Sequence, residues 1–170
     1  MAMTPEDLYN AFKSYWNERR IAFLNEKTKE MKGVLPIVEA YFAKRETKIL
    51  NAGDTSARHP CCNIGAWHKY WQIATANFDN MMYCSCCGKP IFSDVSDARC
   101  ANVALGLDEE GKQDSPEKHQ AHGGHIVIEC FGKDNYFITP MCPHCNGLHN
   151  KVLPLLKDSI VVKEEKAILD

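Results

Sequence analysis

Four of the nine cysteines in this 170-residue chain are spaced for a metal ion. Cys84 and Cys87 enclose two residues, and so do Cys142 and Cys145. A two-residue gap lets both thiolates meet one ion across a tight turn, and two such pairs fill the corners of a zinc tetrahedron. Gly88 supplies a permissive backbone just after the first pair. Cys86 lies between the first two ligands and is spare, because a register using it would need a partner at Lys89. Four thiolates leave no open position, so the expected Zn²⁺ is structural and its binding energy is folding energy.

A second group could do chemistry: His122, His125, Asn146, His149 and Asn150. Alternation places His125, Val127 and Glu129 on one side of a strand and Ile126, Ile128 and Cys130 on the other. Gly132 to Asn135 reads as a turn, Tyr136 to Thr139 as the return strand, and Pro140 as its end. A short helix is expected from Asn146 to about Leu153, stopped by Pro154. Asn146 and His149, at i and i+3, would share a helix face looking at His125. Asn146 and His149, with His122, are candidate ligands of a second cation, Mg²⁺ or Mn²⁺, beside a neutral His125. A divalent ion and a histidine base suffice for phosphodiester hydrolysis. The plainer alternative makes His125 a structural strand residue and His149 a surface one.

At these residues the chain resembles the HNH, or ββα-metal, endonucleases within the broader treble-clef zinc folds. The resemblance covers Cys84–Cys87 and residues 123–151, with Asn146 directly after the last cysteine of the second pair. It implies His125 as general base and Asn146 as a metal-binding residue. It places His149 or Asn150 where other members carry a further ligand or phosphate contact, and Lys151 within reach of phosphate. One position departs from the pattern. Members that cleave usually carry Asp or His immediately before the base, and here that position is Gly124. His122 could stand in only if Gly123 and Gly124 form a bulge that turns it to the same face.

The elements around these residues read as helices first. Thr4, Pro5, Glu6 and Asp7 suit a helix start, followed by Leu8, Phe12, Tyr15 and Trp16 at helical spacing. A second helix is expected from Pro36 to about Asn51, with Tyr41, Phe42 and Ile49 inside and Lys44, Arg45 and Lys48 outside. Trp67, Tyr70, Trp71 and Ala74 predict a third. Residues 93–120 read as an acidic insertion with a surface loop near its end, and Ser159 to Lys163 as an edge strand. His59, Cys61, Cys62 and His68 read as structural rather than as another metal site, since adjacent cysteines seldom serve one tetrahedral ion.

The expected fold class is therefore α+β: a helical N-terminal region (1–80) packed on a zinc-stapled treble-clef module of HNH-like ββα type (81–170). The expected function is a divalent-metal-dependent endonuclease acting on nucleic acid, DNA first, with His125, Asn146 and His149 as its catalytic residues. The alternative is a non-catalytic zinc module that binds nucleic acid or protein. A redox or zinc-sensing role for Cys61, Cys62 and Cys86 is a more distant third. A net charge of −2 excludes a strongly basic nucleic-acid binder but not a local basic face. With no secretory signal, no membrane-length apolar run and an odd number of cysteines, a reducing cytoplasm is the expected compartment.

Overall fold

The computed structural model describes residues 8–10 (backbone), 39–53, 55, 58–60, 64–75, 77–97, 100 and 115–164. Its frame is β, not helical. Strands β1 (Leu8–Asn10), β2 (Ala40–Ala43), β3 (Thr47–Asn51), β6 (His122–Val127), β7 (Tyr136–Met141), β8 (Val152–Leu155) and β9 (Ile160–Lys163) form one seven-stranded sheet. Their order is β1-β2-β9-β7-β6-β3-β8, and every neighbouring pair is antiparallel. A separate hairpin pairs β4 (Met81–Tyr83) with β5 (Pro90–Phe92). Among the described residues the α-helices are α1 (Trp67–Thr75) and the one-turn α2 (Pro143–Gly147). Among the described residues no helix is long and apolar enough to cross a membrane.

This overturns the expected helical N-terminal region on a ββα module. Leu8–Asn10 pair with β2 instead of opening a helix, and the rest of the first expected helix lies outside the described residues. The second expected helix is β2 and β3. Along β3, Thr47, Ile49 and Asn51 are buried while Lys48 and Leu50 are exposed, which is the period of a half-buried strand. Isolated apolar residues in so short a segment satisfy either period, and the pairing of β2 with β1 and β9 and of β3 with β6 and β8 decides for strand.

The helix expected after Cys145 is also shorter than its sequence suggests. It ends at Gly147, so His149 lies outside it, and the chain turns back as β8. Pro154 sits inside that strand, opposite Lys48 and exposed. Proline is tolerated there because β8 is an edge of the sheet among the described residues, where its missing N–H interrupts no ladder. Pro140 likewise does not end β7, which runs on to Met141. Strand β9, expected at an edge, lies between β2 and β7 with Val161 and Val162 fully buried.

The third expected helix is present as α1, and it packs on β6, β7 and β9. Tyr70 and Trp71 are buried, each worth roughly 1.5–3 kcal/mol of apolar burial. Their polar ends are satisfied by the sheet: Tyr70 Oη donates to the Lys163 carbonyl (2.7 Å) and Trp71 Nε1 to the Ile160 carbonyl (2.9 Å).

The first turn of α1 lies directly on Gly123. A Cβ at that position would clash with the Trp67 backbone and lie 2.6 Å from the His68 nitrogen. Backbone cannot step aside as a flexible side chain can. Gly123→Ala is therefore expected to lower unfolding stability by about 3 kcal/mol, the upper part of the usual range for overpacking. The urea midpoint measures this directly; an unchanged midpoint would show that α1 does not rest on β6.

Candidate functional site

The first cysteine pair occupies the turn between β4 and β5. Cys84 N–H donates to the Lys89 carbonyl and Gly88 N–H to the Cys84 carbonyl, both at 2.8 Å. Gly88 takes a φ of 75° to close the turn, a conformation glycine adopts without Cβ strain. The turn docks on β7: Ser85 N–H donates to the Pro140 carbonyl (2.9 Å), and the Ser85 and Thr139 hydroxyls lie 2.7 Å apart. The second pair follows β7 at once. Cys142 caps α2, its sulfur accepting from Cys145 N–H at 3.4 Å, and Pro143 fills the first helical position.

These turns bring the sulfurs of Cys84, Cys87, Cys142 and Cys145 within 4.8 Å of one another. Zinc–sulfur bonds near 2.3 Å in a tetrahedron require sulfur–sulfur separations of about 3.8 Å. Cys87 and Cys142 lie 3.8 Å apart. Hydrogen bonds from Cys142 and Cys86 hold the Cys84 thiol far below its ordinary range. Burial, together with the neighbouring Cys84 charge, pushes Cys145 up to about 12. Without a cation, one thiolate thus suppresses the ionisation of its neighbours. A divalent ion would remove that conflict, and the cluster can hold zinc. Cys86 is buried beside it but is not one of the four converging sulfurs.

A cavity of about 450 Å³ has Asn146 of α2 in its wall. Thr55, Arg58, Trp67, His125, Asn146 and His149 contribute to its wall. Three residues singled out in the sequence, His125, Asn146 and His149, therefore meet there although the expected shared helix face does not exist. Asn51 replaces it. Its buried Nδ2 donates to the Cys145 and Asn146 carbonyls, both at 3.1 Å, clamping α2 to β3. Asn51 also exchanges backbone bonds with the loop after α2: it accepts from Asn150 N–H (2.8 Å) and donates to the Lys151 carbonyl (2.9 Å).

His122 does not join this cavity. The β6–β7 register runs unbroken from His122–Met141 to Val127–Tyr136, with no bulge at the two glycines. An offset of three on a regular strand puts His122 on the face opposite His125. Burial lowers its pKa. Gly124 has a steric explanation as well. A Cβ there would run into the Met141 sulfur, lie 2.9 Å from Met141 Cγ and lie 3.2 Å from Asn146 Oδ1. Buried Met141 occupies the room that a ligand side chain at position 124 would need. Asn150 and Lys151 are exposed and are not among the residues that line the cavity.

His125 is 5% exposed and framed by aromatic rings. Trp67 stands edge-on at 4.8 Å and Tyr136 at 6.4 Å. Its Nε2 lies 3.3 Å from Glu164 Oε1. Arg58 Nη1 meets Glu164 Oε2 at 2.7 Å, and the guanidinium lies 4.1 Å over the Tyr136 ring. Burial alone would raise the Glu164 carboxyl, but the neighbouring His125 and Arg58 outweigh it and hold the group below its ordinary range. Sequence reasoning missed Arg58 and Glu164. Both stand outside any motif, and only the sheet brings them to His125.

Among the described residues the cavity wall offers one imidazole and one amide oxygen beyond His125, and no carboxylate. Among the described residues the four cysteines are the metal-ligand cluster of three or more His, Cys, Asp or Glu groups. That donor set does not make a resident Mg²⁺ site, which calls for oxygen ligands with carboxylates. Comparisons with protein-family models, curated proteins and solved structures find no match to this chain.

Proposed function

We propose that the chain hydrolyses phosphodiester bonds in nucleic acid, with the chemistry of an HNH-type endonuclease and a structural zinc in its four-cysteine cluster. One observation carries the reading: a histidine base candidate, two neutral donors and an arginine line the same cavity. His125 accepts a proton from water as the water oxygen attacks phosphorus. The phosphorus–oxygen bond to the leaving sugar oxygen breaks, and that oxygen takes a proton from solvent. Arg58, which lines the cavity and pairs with Glu164 through Nη1, would favour the negative charge growing on phosphate. Asn146 and His149 would hold a divalent ion together with a phosphate oxygen. Such an ion supplies Lewis-acid stabilisation of the same charge.

The test is cleavage of supercoiled plasmid, single-stranded DNA and RNA by the zinc-loaded protein in Mg²⁺, Mn²⁺ or EDTA. Cleavage that EDTA abolishes at constant zinc content is expected. Asn146→Ala should raise the metal concentration for half-maximal rate by about tenfold or more, as lost support of a metal site commonly does. If all three substrates stay intact in every cation, the hydrolytic reading falls and the chain is better taken as a zinc module that binds nucleic acid or protein.

A further inference from the structure

We infer that Glu164 positions His125, holding its ring in the Nε2–H tautomer so that Nδ1 is left as the proton acceptor. The catalytic part of this inference rests on the hydrolytic reading above; the tautomer does not.

Both contacting atoms are buried, and neither has another partner. His125 Nε2 and Glu164 Oε1 are each withdrawn from solvent without a hydrogen-bond partner, their mutual contact being close enough for one but not aligned as one. They lie 3.3 Å apart, with side-chain exposures of 4% and 5%. Glu164 has its second oxygen engaged, since Arg58 Nη1 holds Oε2 at 2.7 Å. Arg58 is in turn braced on the Tyr136 ring. Glu164 is fixed at the backbone too, its N–H donating to the Tyr136 carbonyl at 3.0 Å. One carboxylate oxygen is therefore left over, and it faces one imidazole nitrogen.

A neutral imidazole carries a single proton, and which nitrogen holds it follows the bond that the other groups offer. A carboxylate accepts and does not donate. Nε2 facing Glu164 must be the protonated nitrogen if the contact is to be favourable. Nδ1 then carries the lone pair. Trp67 and Tyr136 stand edge-on to the ring and limit its rotation. The arrangement of nucleophile activator and orienting carboxylate follows the general logic by which a third group fixes a catalytic base.

The direct test is the ¹⁵N and ¹³C spectrum of the His125 imidazole in the zinc-loaded full chain, at a pH where the ring is neutral. The Nε2–H tautomer is expected in wild type. Glu164→Gln keeps the shape but offers an amide that can also donate to Nε2, so the Nδ1–H form should become substantial. On a cleaved substrate, Glu164→Gln should lower kcat by about 10²–10⁴-fold with KM changed far less, while zinc content and far-UV circular dichroism stay constant. A merely structural glutamate would not move the tautomer. An Nδ1–H tautomer in wild type would overturn the inference whatever the activity, and it needs no variant to fold. A tautomer that ignores Glu164→Gln would overturn it as well. An Nε2–H tautomer that follows Glu164 in a protein that cleaves nothing supports the positioning and sinks the hydrolytic reading instead.

Discussion

Stripping the four-cysteine cluster is expected to unfold the part of the molecule that carries Asn146 and His149. Apparent zinc affinities in small modules reach about 10–16 kcal/mol, as large as the roughly 5–15 kcal/mol net stability of a typical domain. The geometry shows where that energy would be spent. Hairpin β4–β5 has two short strands; its turn hydrogen-bonds to the sheet through Ser85, and Met82 and Ile91 join the core. Helix α2 has one turn, too short to persist on propensity alone. Without the metal, one thiolate among buried thiols leaves charge uncompensated, and the turn and the helix lose their common anchor. Cys145→Ser, or chelation in a reducing buffer, should lower the thermal midpoint by 20 °C or more, by the usual conversion from several kcal/mol. The sheet strands β2, β9, β7 and β6 should keep more amide protection than α2, because their ladder does not pass through the cluster. Metal-free protein with an unchanged midpoint and a protected α2 would show the cluster to be dispensable.

The parts of the site that were legible in the sequence are the local ones. A two-residue gap between cysteines fixes the geometry of a turn whatever surrounds it, so both pairs could be read from spacing. The alternation from His125 to Ile128 likewise marked a strand, and the spacing of Trp67, Tyr70, Trp71 and Ala74 marked α1. Reading failed where tertiary pairing decides. Tyr41, Phe42 and Ile49 fit a helical face, but they belong to strands because β9, β6 and β8 pair with them. Pro154 looked like a helix stop and proved to be an edge-strand residue. The residues after Cys145 read as a helix to about Leu153, and the chain has one turn ending at Gly147, followed by β8. His149 reached the cavity all the same, because the Asn51 clamp holds the loop that follows α2. Glu164 had no signal at all. It follows β9 in a charged tail, and its meaning depends on β9 lying beside β7, where Phe137 pairs with Lys163.

His125→Ala should abolish most cleavage while leaving zinc and fold in place. A positioned general base contributes about 10²–10⁴-fold, so the rate at saturating metal should fall by that factor and fall equally on any substrate the protein cuts. The scaffold should tolerate the change. The pairing of His125 with Ile138 is made by backbone, and Glu164 keeps its Arg58 partner when the imidazole is gone. What is lost is packing against Trp67 and Tyr136, a cavity cost of about 1–3 kcal/mol. His149→Ala gives the contrast. His149 is exposed and lies in the loop beyond α2, so its truncation should weaken metal dependence before it weakens the maximal rate. The two variants therefore separate base from ligand: excess Mn²⁺ should restore much of the His149→Ala activity and none of the His125→Ala activity. Equal rescue of both would make His125 a ligand rather than a base. Equal activity of wild type and His125→Ala, in protein freed of contaminating nuclease, would remove His125 from the chemistry and with it the reason for reading this cavity as an active site.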